Sequence, residues 1–272
     1  MTQPFSRTTG RRAFAALELL VMLAVLALLA ATLLPALAWS GSDVQKINCL
    51  NSKRQLCLAW QMYNGDNNDN LVTTLHGGSA QGAVGDPKLG VGWCSGWLDQ
   101  GISSDNTNIL FLVNPKYAKL APYINQLTNL FKCPADRYLS AAQRAQGWSQ
   151  RVRSVSLSVG IGEGNAEAGP WDPIYKHAKK FTDLLYPTPA ETFLFLDEDP
   201  YSINDPAFFS PFKTSWVDIP ASYHYGGAGF GFADSHAEIH NWTGTLPHVT
   251  TNLFADLHWL SYHSTRGSTK SY

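Results

Sequence analysis

The sequence predicts an α+β fold, with one long N-terminal helix packed on an antiparallel sheet that carries large loop insertions. Three observations predict it. The first 63 residues show apolar character at helical spacing. The segments near 152–160, 191–197 and 228–241 alternate with a period of two or run apolar over a short length. Between them lie many Gly, Pro and Asn breaks, which mark loops.

The helix comes first. From Leu19 to Ala38 no residue is charged, and Thr32 and Pro35 alone interrupt the apolar run. A helix of that length covers about 30 Å, the thickness of a bilayer core. Arg7, Arg11 and Arg12 precede it, which sets this end in the cytoplasm and the bulk of the chain outside. "SDVQKINCLNSKRQLCLAWQMY" follows, from Ser42 to Tyr63. Cys49, Leu56, Trp60 and Tyr63 recur on one face, so the helix is expected to run on until Asn64-Gly65 ends it. Cys49 reads as a buried core thiol.

The strands follow. "VRSVSLSVGIG", from Val152, sets Arg153, Val155, Leu157 and Val159 against Val152, Ser154, Ser156 and Ser158, the pattern of a half-buried strand. "ETFLFLDED", from Glu191, reads as a more fully buried strand leading into acids. In "YHYGGAGFGFADSHAEIHNW" the glycines read as a tight turn. The strand after it sets Phe230, Phe232, Asp234, His236, Glu238 and His240 on one face.

Composition excludes some classes. Net charge is -1, so a duplex-gripping basic surface is absent and nucleic acid is not an expected partner. The four cysteines, Cys49, Cys57, Cys94 and Cys133, form no CxxC pair. Cys49 and Cys57 lie about 12 Å apart along a helix, too far for a bridge. Cys94 and Cys133 can pair with each other, or either with a helix cysteine.

Glu18 decides among three readings of the N-terminus: a plain anchor, a secretory signal cut after Ala36 to Ala38, and a processed helix. A carboxylate at membrane depth needs a partner. A cut between Ala13 and Phe14 makes a new amine one helical turn away, which a neighbouring subunit's Glu18 can neutralise. Arg11, Arg12, Phe14, Glu18, the run Leu19 to Leu34 and the kinking Pro35 resemble the leader and helix of type IV pilins and type II secretion pseudopilins. His224, separated from Asp234 by nine residues, with "CPAD" at Cys133 to Asp136, resembles the pseudopilin-like proteins with a C-terminal H-X9-DG signature. Ser235 stands where that signature has glycine. Either the turn there tolerates a side chain, or φ > 0 is no longer required.

The resemblance implies a leader at 1–13, an assembly and transmembrane helix at 14–38, its continuation at 39–64, and an extracytoplasmic domain at 65–272. It implies a subunit polymerising in a bacterial inner membrane, single-pass, with the C-terminal domain periplasmic. Expected partners are other pilin or pseudopilin subunits, a prepilin peptidase/methylase, and a secreted protein or polysaccharide. The alternative is a membrane-anchored, extracytoplasmic binder of a substrate or polysaccharide, using its tryptophans as a platform.

No enzyme is expected, since no GxSxG, HExxH or strand-GxGxxG-helix order occurs. No cofactor is certain. Calcium is the one candidate, with Asp197, Glu198, Asp199, Asp205 and His236 as possible ligands.

Overall fold

The computed structural model describes residues 16, 18–29, 41–164, 175–210, 215–244 and 254–265. The chain divides into two compact units, Met1–Val44 and Gln45–Tyr272. In the first, residues 18–29 are helical and exposed, a length of about 18 Å. Ala13, Phe14 and Pro35 lie outside the described residues; Glu18 lies on the exposed helical stretch.

Helix α1 spans Gly41–Asp66. It opens with Asp43 in its first turn, where a carboxylate suits the dipole. It buries Cys49, Leu56, Cys57, Ala59 and Trp60. Short helices α2 (Leu110–Val113) and α3 (Ala141–Ala145) sit in the loops, and α4 is Phe254–Tyr262. Helix α3 is held by a capping box, with Ser140 and Gln143 satisfying each other's backbone N–H.

Five strands form one open sheet: β1 Val155–Ser158, β2 Phe193–Asp197, β3 Ala207–Phe208, β4 Gly227–Phe232 and β5 Ala237–Asn241. Their order is β3-β1-β2-β4-β5. β1 pairs with β2, β2 with β4 and β4 with β5, all antiparallel, while β1 and β3 run parallel.

The expected fold therefore needs correction. The sheet is mixed rather than wholly antiparallel, because β1 and β3 run parallel. Among the described residues no helix is long and apolar enough to cross a membrane. The apolar run at 19–38 suggested one; of it only residues 19–29 are described, and they are helical.

Three core clusters lie in the larger unit, the smallest formed by Val159, Ala207 and Phe209. One joins Leu56, Trp60, Trp93, Phe131, Leu157 and Phe195. Another joins Phe193, Leu196, Phe208, Phe230, Phe232 and Trp242. A register irregularity between Phe193 and Phe195 breaks the alternation of β2. Leu194 and Phe195 both join the first cluster, while Phe193 and Leu196 join the second.

β1 also departs from expectation. It is buried along its whole length, serines included. Ser156 donates to Glu198 at 2.5 Å, and Ser154, just before the strand, accepts from the Cys133 N–H at 2.7 Å. In β4 the glycines are the strand itself, not a turn before it. Gly227, Gly229 and Gly231 alternate with Ala228, Phe230 and Phe232. The bulky members fill the second cluster. The glycines leave room on the face towards α1, where a Cβ at Gly231 would lie 2.6 Å from Cys57 Sγ.

Candidate metal centre

That glycine-lined face is where four separate segments meet. α1 contributes Cys49. A turn following the 3-10 segment Thr128–Phe131 contributes Cys133, and the Ser154 hydroxyl fixes its backbone. The last residue of β2 is Asp197, two residues after Phe195. His224 precedes β4, its N–H donating to the Gly227 carbonyl at 3.1 Å.

All four side chains are buried, and one ligand atom from each lies within 4.8 Å of every other. Cys49 Sγ donates to Asp197 Oδ2 at 2.9 Å, and Cys133 Sγ lies 3.2 Å from His224 Nε2. His224 Nε2 lies 3.9 Å from Asp197 Oδ2. A tetrahedral ion with bonds of about 2.0–2.3 Å sets its ligands roughly 3.3–3.8 Å apart.

Gly229 completes the cradle. Its N–H donates to Asp197 Oδ2 at 3.2 Å. A Cβ there would sit 2.7 Å from Cys49 Sγ and 2.8 Å from Asp197 Oδ2.

Lys53, one turn after Cys49, is fully buried. Its ammonium donates to Asp197 Oδ1 at 2.5 Å and lies 3.8 Å from Cys49 Sγ. Burial alone would lower its pKa, but the Asp197 charge, with Cys49 and Cys133 beside it, more than offsets this and raises it. The hydrogen bond with Cys133, then burial and the Asp197 charge, push the Cys49 thiol well above its ordinary value. Without a metal, Asp197 and Lys53 cancel and Cys49 keeps its proton. With a divalent ion, two thiolates and one carboxylate carry three negative charges, which the ion and Lys53 together balance. A buried site is electrically neutral either way.

The remaining expected ligands do not converge. Glu198 is held by Ser156 and Ser202 hydroxyls, and burial, then the nearby Asp218, raise its pKa. Asp199 accepts from the Tyr201 N–H, and Asp205 from the Ala207 and Gly77 N–H groups. His236 pairs with Asp234 at 2.6 Å in a half-exposed turn. Of the expected set Asp197 alone joins the cluster. The calcium expectation is thus overturned: two thiols and an imidazole suit a transition metal such as zinc, not a hard oxygen-seeking ion.

His224 and Asp234 are not brought together. His224 is in the centre, while Asp234 caps the turn before β5. Ser235 there has φ 73°, so the turn keeps the left-handed geometry and tolerates a side chain. Sequence reasoning missed Cys49 and Cys133 as ligands. Their one sequence signal was a "CPAD" turn and a helix thiol, 84 residues apart by their numbering. All four cysteines are free and buried.

Comparison of the chain with family models, curated proteins and solved structures finds no match. The pilin and pseudopilin resemblance is accordingly corrected. With it go the filament subunits, the peptidase/methylase, the secreted cargo and the single-pass inner-membrane placement, all of which rested on a membrane helix that the described residues do not contain. The polysaccharide-binding alternative needed exposed indoles, and no described tryptophan is exposed. The expectation of no enzymatic chemistry rested on missing signatures. The buried Cys49, Cys133, Asp197 and His224 cluster overturns it, because its geometry is consistent with a metal-binding active site.

Proposed function

We propose that this chain is a metal-binding domain that holds one transition-metal ion, zinc by preference, through Cys49, Cys133, Asp197 and His224. The observation that carries the reading is the convergence of four buried donor groups, from four separate segments, within 4.8 Å. Thiolate, imidazole and carboxylate together are a zinc donor set. Lys53 and the Gly229 N–H act from outside the donor atoms: each holds one oxygen of Asp197 and so sets the orientation of the carboxylate. A bound ion would act as a Lewis acid or as a structural clamp.

Cobalt is the reporting probe. Titrating the chain with Co²⁺ should give a thiolate charge-transfer band that saturates at one equivalent and is bleached by zinc but not by calcium. Cys133→Ser and His224→Ala should each remove that endpoint. No absorbance change, or an endpoint indifferent to both variants, refutes the reading.

A further inference from the structure

A cleft of about 540 Å³ opens beside the candidate centre, between α1 and the turn that carries Cys133. Its volume lies in the range of small-molecule sites. Helix α1 supplies Asn48, Asn51 and Gln55 to its wall. The spacing i, i+3, i+7 puts these three carboxamides on one face. That face adjoins the one bearing Cys49 and Lys53. Asn129 and Gln150 line the cleft as well. All five residues are exposed.

Charge in the cleft is already cancelled, because Lys132 pairs with Asp136 within it. Neither an anion nor a cation finds an unpaired counter-charge there. No aromatic ring lines it; the apolar wall is Ile109, Pro134 and Val152. A sugar face would have nothing to stack on.

We propose that this cleft binds an uncharged, amide-bearing ligand, of the class of a short neutral peptide, next to the metal centre. A carboxamide offers one acceptor and two donors on a planar group. It therefore matches the paired C=O and N–H of another amide better than it matches an ion. Cys133 belongs both to the cleft lining and to the four-group cluster. This places the amide ligand against a metal ligand, and in that respect the proposal rests on the metal reading.

The test uses the full chain, isotope-labelled, with and without zinc. A blocked dialanine amide is the probe; succinate and a glucose disaccharide are the comparisons. The dialanine amide should shift the side-chain NH₂ resonances of the five carboxamides saturably. The double variant Asn51→Leu/Gln55→Leu should weaken that binding about tenfold, the loss of one or two net hydrogen bonds. Both positions are exposed, so folding is checked simply by an unchanged thermal midpoint. The proposal is overturned if the amide gives no saturable shifts in either form, if succinate or the disaccharide binds more tightly, or if the double variant binds as well as the original. Amide binding without any zinc binding would refute the metal reading alone. Zinc binding without amide binding would refute this one alone.

Discussion

Replacing Lys53 by Met tests the electrostatics of the centre most directly. The two side chains are similar in length and both unbranched, so the cavity left is small and the cost is mainly that of charge. Asp197 would keep a fully buried carboxylate with its cation gone. Breaking one side of a buried pair costs about 3–5 kcal/mol. At a urea slope of about 2 kcal/mol per molar, the unfolding midpoint of the zinc-free chain should drop by roughly 2 M. The sign with pH is favourable for the assay. The Lys53 pKa is raised in the folded state. Its contribution is therefore fully present below the unfolded value of about 10.4 and is lost only as pH rises through the still higher folded value. A measurement at neutral pH sees all of it. Adding Asp197→Asn removes the stranded charge, so the double variant should be more stable than Lys53→Met alone. Zinc at a hundredfold excess over its Kd should return about 2.7 kcal/mol, since the ion binds the folded chain. A cost below about 1 kcal/mol for Lys53→Met, with no recovery in the double variant, would refute the view that Lys53 holds a buried carboxylate in place.

Zinc affinity should rise with pH, because Cys49 holds its proton at neutrality and both thiols must ionise to bind; chelator competition at three pH values should show up to about a hundredfold gain per unit, and a flat profile would exclude thiolate ligation. Gly229→Ala drives a Cβ to 2.7 Å from Cys49 Sγ and 2.8 Å from Asp197 Oδ2; overpacking of that kind costs about 1–3 kcal/mol, and the cobalt endpoint should weaken with it, while an unchanged melt and endpoint would show that the strand yields freely. Burial lowers the His240 pKa to about 4, so the unfolded chain binds the extra proton first and stability should fall as pH drops from about 6.5 to 4. Because the ring is half exposed, the loss is discounted to about 1 kcal/mol; His240→Phe, which keeps the stacking on Trp259, should flatten that slope in denaturant titrations. Chelation should leave the chain folded by circular dichroism, because two apolar clusters hold the sheet independently of the donor groups; a coil spectrum after chelation would show that the metal is needed for folding.

How much of this was legible in the sequence differs by element. The segments around 155–158 and 193–197 announce themselves by local chemistry, β-branched and aromatic residues bounded by breakers. Their surroundings do not. The serines of β1 look solvent-facing by alternation, yet both are fully buried; Ser156 sits between Arg153 and Glu198, which need polar partners inside, while the Ser158 hydroxyl has no hydrogen-bond partner among the described residues. The glycines of β4 look like a turn by composition. They are a strand because α1 approaches so closely that a side chain at Gly229 or Gly231 would collide with a cysteine. Local propensity cannot report a neighbour 170 or more residues away. Of the apolar run at 19–38 only residues 19–29 are described, and among the described residues no helix is long and apolar enough to cross a membrane.

The candidate centre was the least legible part, and its geometry says why. Each donor has an ordinary local reading: Cys49 as a core thiol on a helix stripe, Asp197 as the acidic end of a strand, Cys133 as a turn cysteine, His224 as half of a spaced signature. None of the usual two-ligand spacings occurs, since no two of the four lie within one turn or one hairpin of each other. Lys53 reads from the sequence as a polar position of the helix, yet it is fully buried beside Cys49, Leu56 and Trp60, and a lysine in a core demands a buried anion. That demand is met by Asp197, 144 positions away. The pairing brings the end of β2 against α1, and with it the carboxylate that Cys49 and His224 face. The buried charge of Lys53 on α1 is thus the feature of the fold that points to the site.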